Sequence, residues 1–390
     1  MDVIIRGGII MKKFFAILLV LAVAFTAFAG GSSEAPAAAP AAKAADVAVA
    51  MVTDYGDITD QSFNQTTYEA CKAFAEANGL KFKYYKPAGD NTADRVAMIE
   101  QAIGEGFNVI VMPGYAFAGA IAEAAPQYKD VKFVGLDVSE YDLVIDAGLK
   151  DLSNVYCIVY QEEIAGYLAG YATVKLGYTH LGFCGGMAVP AVIRYGYGYV
   201  QGADAAAKEL GVDADIQFAY ANQFFGDADI TAAMDAMYAN GAQVVFACGG
   251  GVYTSVCEAA AKVKGKAIGV DVDQKPIFDA AYGYSITVTS AMKGLYASTT
   301  ATLQTILDGK WDTIVGKIAN LGLASATDMD ANYVGIPTGA GTEWSDKFTK
   351  DDYAKVVADI FNGKIVVDND SSNAEPKAST LKIKYIGNIK

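Results

Sequence analysis

Two aspartates occupy matching places in two similar stretches of the chain, each directly after a short apolar run. The stretch Phe133-Val-Gly-Leu-Asp137-Val corresponds to Ala267-Ile-Gly-Val-Asp271-Val, at a shift of about 135 residues. An aspartate at a strand end is usually a turn former or a helix cap, but its carboxylate can also accept hydrogen bonds from a ligand. Because both stretches place the carboxylate in the same way, Asp137 and Asp271 are candidate ligand-binding residues.

Three further side chains have chemistry that suits a ligand. Asn64 lies at the start of the first predicted helix, where its amide can donate and accept hydrogen bonds, although a surface position is the alternative. Phe225 stands in the polar loop 222–227, which favours stacking on a flat ligand as an alternative to core packing. Lys293 ends a strand-like run; its residue type alone indicates a solvated surface charge.

Two glycine-rich runs follow predicted strands. The run 249–251 imitates a dinucleotide-binding fingerprint, but Thr254 stands where the last glycine is required. Glycine at the start of a helix still allows a ligand to approach backbone N–H groups, so Gly250 is a candidate binding residue. The run 185–190, which contains Met187, is predicted to form a cleft loop at the corresponding place after another strand.

These residues need a scaffold that brings strand ends together. Between residue 46 and about residue 290, short β-branched runs alternate with Ala-rich helical stretches, which indicates βαβ units and parallel sheets. The run Gly106–Gly114 also corresponds to Gly241–Gly249, so the chain contains two copies of one α/β lobe. Ligands of such sheets bind beyond the carboxyl ends of the strands, and two facing edges make a cleft.

Composition argues against several functions. The chain has 30 Lys and Arg against 44 Asp and Glu, a net charge of −14, whereas a nucleic-acid partner requires a basic surface. His180 is the only histidine, and the five cysteines lie in apolar segments without a CxxC motif. A histidine-ligated zinc site or a Ser-His-Asp triad therefore lacks its components, and we predict a binding protein without catalytic residues, metal or cofactor.

The N-terminal region carries export signals. Met11-Lys12-Lys13 precedes the apolar run Phe14–Phe25 and the small-residue motif Ala27-Phe28-Ala29, so residues 1–29 are predicted to be a signal peptide. The apolar run is shorter than the roughly 20 residues that a membrane-spanning helix needs. The Ala/Pro/Ser-rich residues 30–45 are predicted to be a flexible tether.

Several motifs together resemble the basic membrane protein family of substrate-binding lipoproteins, whose characterised members bind purine nucleosides for ABC importers. The motifs that carry the resemblance run in family order: Asp60-Gln-Ser-Phe-Asn-Gln65, Gly185-Gly-Met187 with Pro190 and Arg194, Phe225-Gly-Asp227, Gly249–Gly251, Gly269-Val-Asp-Val-Asp-Gln274 and Thr289-Ser-Ala-Met-Lys293.

The resemblance implies a type I periplasmic-binding fold, in which two Rossmann-like lobes with parallel sheets flanked by helices enclose a ligand cleft. Lobe 1 is expected to comprise residues 46–157 and 287–325, and lobe 2 residues 158–286 and 326–390. The implied partners are a small-molecule ligand and the permease and ATPase of an ABC transporter, and we expect a monomer.

The resemblance also assigns roles to residues. Asn64 and Asp137 are expected to bind the purine edge, and Asp271 and Lys293 the ribose hydroxyls. The base would lie between Phe225 and an aromatic residue of lobe 1, for which three candidates stay open: Tyr55, Phe63 and Tyr115. A sugar-binding protein of the same fold is the alternative function.

The sequence departs from the family pattern at three places. The run Gly56-Asp57-Ile58-Thr59 differs from the usual family run, which leaves the stacking aromatic residue of lobe 1 open. Gly30 and Gly31 follow the predicted cleavage site where the family has its lipid-attachment cysteine, so we expect a soluble periplasmic or extracytoplasmic protein. Residues 368–390 extend past the usual end of the family.

Overall fold

A computed structural model of the chain describes residues 46–54 and 56–390. The predicted signal peptide, the predicted tether and Tyr55 lie outside the described residues. Within the described part, no helix combines the length and the apolar character that crossing a membrane requires.

The described residues form parallel strands that alternate with helices. The strands are β1 (Ala48–Val52), β2 (Lys81–Tyr85), β3 (Val109–Pro113), β4 (Lys132–Leu136), β5 (Val155–Tyr160), β6 (His180–Gly185), β7 (Asp215–Tyr220), β8 (Val244–Cys248), β9 (Lys266–Asp271), β10 (Thr287–Lys293), β11 (Ile318–Leu321), β12 (Val334–Gly335) and β13 (Lys382–Asn388). The helices are α1 (Phe63–Asn78), α2 (Thr92–Gly104), α3 (Ala118–Ala124), α4 (Glu162–Lys175), α5 (Pro190–Leu210), α6 (Ala228–Ala239), α7 (Tyr253–Val263), α8 (Lys275–Tyr282), α9 (Leu295–Leu307) and α10 (Lys350–Phe361).

The strands make two sheets with the same internal order. The first sheet has the order β11-β5-β4-β3-β1-β2, and the second has the order β12-β10-β9-β8-β6-β7-β13. The five strands β5-β4-β3-β1-β2 therefore correspond to β10-β9-β8-β6-β7. All pairs are parallel except that of β10 with the short β12. The predicted α/β architecture of two repeated lobes is confirmed.

The lobe boundaries differ from the expected ones at one strand. β10 pairs in register with β9 over Thr289–Met292, so it belongs to the second sheet, although residues 287–325 were expected to form the second part of lobe 1. Its sequence mixes hydroxyl-bearing and apolar side chains and suits a buried strand of either sheet, so only the pairing decides. The chain accordingly crosses between lobes near residue 161, after Lys293, and again between β11 and β12.

Helices α4 and α5 of the second lobe pack in backbone contact. A Cβ atom on Gly166 would lie 2.2 Å from the carbonyl oxygen of Tyr195, and one on Gly198 would lie 1.9 Å from that of Glu163. Only glycine permits such an approach. This contact fixes the first turn of α4 against the first turns of α5, where several charged residues of the site lie.

Candidate functional site

A cavity of about 330 Å³ lies between the carboxyl ends of the two sheets. Its lining residues follow β1, β3 and β4 in the first lobe and β6, β7, β8, β9 and β10 in the second. This is the place where open parallel sheets bind their ligands.

The structure brings nearly all of the predicted site residues to this cavity. The lining includes Phe63, Asn64, Tyr115, Asp137, Phe225, Gly250, Asp271 and Lys293. Met187 is not among the lining residues, whereas its neighbours Val189 and Pro190 are, because the chain turns between them. Tyr55 lies outside the described residues.

Asp137 and Asp271 share an uncommon backbone conformation. Asp137 directly follows β4, and Asp271 is the last residue of β9. Both have a positive φ, 59° for Asp137 and 66° for Asp271. Aspartate is one of the few residues with a side chain that tolerate this left-handed region. The conformation turns the chain sharply at the strand end, and both carboxylates line the cavity.

Lys293 joins the two aspartates through one buried ammonium group. Its Nζ donates to Asp137 Oδ2 at 2.6 Å and to Glu162 Oε1 at 3.3 Å, and lies 3.8 Å from Asp271 Oδ1. The side chain is 3% exposed, so it is not a solvated surface charge. Although burial opposes the charge, attraction to the three carboxylates raises the pKa of Lys293 above its usual value, and the ammonium stays protonated.

A second ion pair, between Arg194 and Glu162, lies next to Lys293. Arg194 on α5 donates from Nε to Glu162 Oε2 at 2.7 Å, and the Glu162 side chain is fully buried. Burial works against the charged carboxylate, but Arg194 and Lys293 overcome it and lower the pKa of Glu162. Glu162 is thus an anion held between two cations, and it fixes the position of Lys293 from the second lobe.

Two buried acceptors on residues that line the cavity have no hydrogen-bond partner among the described residues: Asn64 Oδ1 and Asp137 Oδ1. Asp60 orients Asn64, because its carboxylate accepts from the backbone N–H groups of Asn64 and Gln65 at 2.9 and 3.0 Å. Buried acceptors without partners are uncommon and cost roughly 1–3 kcal/mol each. Both atoms are therefore suited to accept from N–H or O–H groups of a ligand.

Burial shifts the protonation of the first-lobe carboxyls. It raises the pKa of Asp137 to about 6 against the attraction of Lys293. It also raises the pKa of Asp54, which follows β1, to about 6, although the Gly56 N–H and the nearby Arg95 oppose the shift. Both groups change charge just below neutral pH, where the gain or loss of a ligand can decide their state.

Aromatic rings reach the cavity from both lobes. Phe63 on α1 lies with its ring centroid 4.6 Å from Lys293 Nζ, and Phe225 of the second lobe lies at the cavity mouth with 56% of its surface exposed. Tyr115, directly after β3, also lines the cavity. Two of the three first-lobe candidates for a stacking residue are therefore in place.

Sequence reasoning assigned no function to four residues of the site: Asp54, Glu162, Arg194 and Tyr195. Asp54 follows the first strand just as Asp137 follows the fourth, so the rule that identified Asp137 could have found it. Glu162 and Arg194 meet only because α4 and α5 pack together, and no local sequence signal predicts that contact.

The charge around the cavity is strongly negative. Five aspartates line it, Asp54, Asp57, Asp60, Asp137 and Asp271, against Lys293 as the one lysine or arginine in the lining that the structure describes. A phosphate group would meet repulsion here, and a neutral or cationic ligand would not. No cluster of three or more potential metal-ligating side chains was found within residues 46–54 and 56–390.

Comparison with known proteins agrees with this geometry. Residues 47–368 match the family described as "ABC transporter substrate-binding protein PnrA-like". The chain belongs to this family, named Bmp. It is therefore a member of a family of ABC transporter substrate-binding proteins, as the sequence motifs indicate.

One Bmp relative is similar over nearly its whole length. The ABC transporter nucleoside-binding protein BmpA of Lactococcus lactis subsp. cremoris is 29% identical over 375 residues, which cover 92% of this chain and 99% of the relative. Among solved structures, the solute-binding protein from Conexibacter woesei has a TM-score of 0.62 at 20% identity, with 83% of this chain and 99% of that one covered. A solute-binding protein from Aeropyrum pernix K1 has a TM-score of 0.60 at 19% identity and covers 83% of this chain and 88% of its own. These structures confirm the fold of the Bmp chain.

Proposed function

We propose that this Bmp protein binds a purine nucleoside between its two lobes and delivers it to an ABC importer outside the cytoplasm. The observation that carries the proposal is the pair of buried, unpartnered acceptors on Asn64 and Asp137 beside the ring of Phe63. A purine has a flat face for the ring and N–H groups along one edge for the acceptors.

The base fits between aromatic rings of the two lobes. Phe63 would cover one face and Phe225 the other, and base stacking on an aromatic ring contributes roughly 1–3 kcal/mol. The exposure of Phe225 supports this role, because a ring that lies at the mouth can close on a ligand from outside. Tyr115 is the alternative first-lobe ring.

The ribose would lie against the second lobe. Asp271 can accept from a hydroxyl group, and Lys293 can donate to a ribose oxygen from its position between Asp137 and Asp271. Gly250 lies in the glycine run before α7, where the backbone can approach the ligand closely. Met187 has no direct contact in this proposal.

The negative lining supports a nucleoside rather than a nucleotide. A 5′-phosphate would be close to several carboxylates with Lys293 alone to neutralise it. The relative from Lactococcus lactis is described as nucleoside-binding, which supports the same ligand class.

The same cleft also suits the alternative ligand. A sugar stacks on aromatic rings and donates its hydroxyls to carboxylates, so pentose or hexose binding by the same fold is the second candidate function. The two differ at Asn64 and Asp137, because a purine requires both groups along one edge and a sugar requires polar groups around its whole rim.

Transport follows from movement of the lobes. We infer that the three crossings act as a hinge, that the lobes close on the ligand and that a permease with its ATPase recognises the closed monomer. Export by the predicted signal peptide would place the protein in the periplasm or on the outer face of the membrane.

A thermal-shift panel tests the ligand class. Guanosine, inosine and adenosine are expected to raise the midpoint of unfolding by mass action, and guanosine 5′-monophosphate is expected to give a much smaller shift. Ribose, arabinose and glucose serve as the comparison. A clear shift with a sugar and none with any nucleoside would replace the proposal with its alternative.

A further inference from the structure

The C-terminal segment, residues 368–390, forms an additional edge of the second sheet. Residues 369–390 lie beyond the region that matches the Bmp family. The segment runs past α5 and ends in β13, which pairs in parallel with β7 from Lys382 beside Asp215 to Asn388 beside Tyr220. It therefore adds to the lobe a strand that the repeated order of the two sheets does not require.

The segment is attached to the second lobe along its whole course. Near its start, the Gln201 side chain exchanges two hydrogen bonds with the backbone of Asp368, at 2.9 and 2.8 Å. In its middle, the Asp204 carboxylate accepts from the backbone N–H groups of residues 379–381 at 2.7–3.0 Å and from two hydroxyl groups. Two tyrosine hydroxyls, of Tyr197 and Tyr220, donate to backbone carbonyls between these points.

The end of the segment reaches a loop that lines the cavity. We call residues 222–227, between β7 and α6, the Phe225 loop. The Lys390 ammonium donates to the Asp227 carboxylate and lies 3.5 Å from Asp229. One residue earlier, the Ile389 N–H donates at 2.8 Å to the carbonyl of Tyr220, the last residue of β7 before the Phe225 loop.

Asp227 passes this contact on to the loop. Its carboxylate accepts from the N–H groups of Asp229 and Ile230, both at 3.0 Å, and so caps α6. It also accepts from the Gln223 amide at 2.8 Å, and the same amide donates to the Phe225 carbonyl at 2.9 Å. Lys390, Asp227, Gln223 and the Phe225 backbone thus form one continuous chain of hydrogen bonds.

The loop is also tied to the rest of the lobe, because the Asn222 N–H donates to the Gly186 carbonyl at 3.1 Å and the Ser255 hydroxyl donates to the Asp227 carbonyl at 3.0 Å. Across the cavity edge, Phe225 forms a single bridge with Gly251, and the Phe224 carbonyl accepts from the Gly251 N–H at 2.9 Å. We infer that the C-terminal segment is a brace for the Phe225 loop, and that Lys390 is a positioning residue that holds the Phe225 ring over the cleft and slows release of the ligand. The effect on ligand release rests on the proposed function, whereas the effect on the loop does not.

Lys390→Met tests this brace, with Lys384→Met as the matched control. Lys384 lies in β13, six residues before Lys390, and makes no ion pair among the described residues, so both changes remove one lysine charge from the C-terminal segment. Hydrogen exchange of the ligand-free protein is measured on peptides that cover the Phe225 loop. Exchange is expected to rise by about two- to fivefold in Lys390→Met, the range for loss of a partly exposed ion pair, and to stay unchanged in the control.

Ligand release is measured on the same proteins by stopped flow with guanosine. The dissociation rate is expected to rise by about two- to fivefold in Lys390→Met, and Lys390→Arg is expected to restore both exchange and release, because it keeps the charge. Equal exchange in Lys390→Met and Lys384→Met would overturn the brace. Faster exchange with an unchanged guanosine rate would overturn its role in ligand retention. Failure of guanosine, inosine and adenosine alike to bind the wild-type protein would instead contradict the proposed function, and the exchange result would still decide the brace.

Discussion

Asp137 and Asp271 hold the same place and the same left-handed conformation in the two lobes, but their surroundings differ. Asp137 has Lys293 on one oxygen and no described partner on the other. Asp271 accepts from the Ser62 hydroxyl at 2.5 Å and from the Tyr195 hydroxyl at 3.4 Å, one on each oxygen. The first carboxylate retains an open acceptor, and the second is already held from both sides.

This difference shows what a repeated fold does and does not determine. The repeat places a carboxylate at the cleft in each lobe, because strand order and backbone turn are the same. The neighbours that come from outside the repeat, Ser62 on the opposite lobe and Tyr195 on α5, decide which carboxylate is free for a ligand. We therefore expect Asp137 to matter more for binding and Asp271 more for the closed structure.

The largest effect is expected from removal of the cation that both aspartates share. Lys293→Met leaves Asp137 and Glu162 buried without their common partner, and breaking a buried ion pair in this way typically costs about 3–5 kcal/mol. Urea unfolding measures the loss. Lys86→Met, which removes an exposed pair with Asp57, serves as the control and should cost less than about 1 kcal/mol. Similar losses in both variants would contradict the role of Lys293.

The next prediction separates the two carboxylates. Asp137→Asn should weaken guanosine binding by about 1.5–3 kcal/mol, because a hydrogen bond to a charged group is lost, and should change stability little. Asp271→Asn should instead lower the free energy of unfolding by about 1–3 kcal/mol, since Ser62 and Tyr195 lose a charged acceptor. Calorimetry and urea unfolding on both variants give the comparison. The expectation would be wrong if Asp137→Asn mainly lowered the free energy of unfolding and Asp271→Asn mainly weakened guanosine binding.

The pH dependence sharpens the same contrast. Because burial raises the pKa of Asp137 from 3.8 to about 6, the carboxyl becomes protonated and loses its negative charge as the pH falls through about 6. A neutral carboxyl is a weaker acceptor than a carboxylate, so guanosine affinity should fall with it. The contribution of Asp137 to stability has the opposite sign. The folded ligand-free protein binds this proton more tightly than the unfolded chain, so that contribution decreases as the pH rises from about 4 to about 6.

Calorimetric titrations between pH 5 and pH 8 test this behaviour. The dependence of guanosine affinity on pH should become weaker in Asp137→Asn. We assign the dependence that remains to Asp54, because burial also raises the pKa of that residue to about 6. A profile for Asp137→Asn that matches the wild-type profile would remove Asp137 as its source.

The smallest expected effect concerns the contact between lobes at Asp271. Ser62→Ala removes the hydroxyl that the first lobe donates to Asp271, at a cost of about 1 kcal/mol in the ligand-free protein. Ser153→Ala, at an exposed position, is the control. Small-angle scattering should show a larger mean radius of gyration for ligand-free Ser62→Ala than for the control. Equal radii would mean that Ser62 does not help to hold the lobes together.

Much of the cleft was predictable from sequence because its residues obey local rules. Asp137, Asp271 and Gly250 follow strands that a periodic pattern reveals, and the 135-residue shift doubles that signal. The assignment of β10 failed because nothing in the sequence of Thr287–Lys293 ties the strand to one sheet, and its pairing with β9 is a non-local property. Sequence likewise left the stacking ring open among Tyr55, Phe63 and Tyr115, since all three come after strands of the first lobe.

The buried ion pairs were harder to foresee. Glu162 and Arg194 are distant in sequence, and their contact depends on the glycines that bring α4 and α5 together. No rule of residue type distinguishes a buried glutamate at a helix start from an exposed one, because acidic residues are favoured there in either case. The chemistry of Lys293 could therefore be inferred only by resemblance and not from its own segment.

The glycine contact between α4 and α5 has a further consequence for opening. Because Glu162, Arg194 and Lys293 all belong to the second lobe, they would move as one body, and Asp137 would leave with the first lobe. Opening thus requires electrostatic work to separate an ammonium from a carboxylate, and water and dissolved ions can screen the two charges only after they part. Added salt should accordingly favour the open form, so that ionic strength tunes how readily the empty protein admits its ligand.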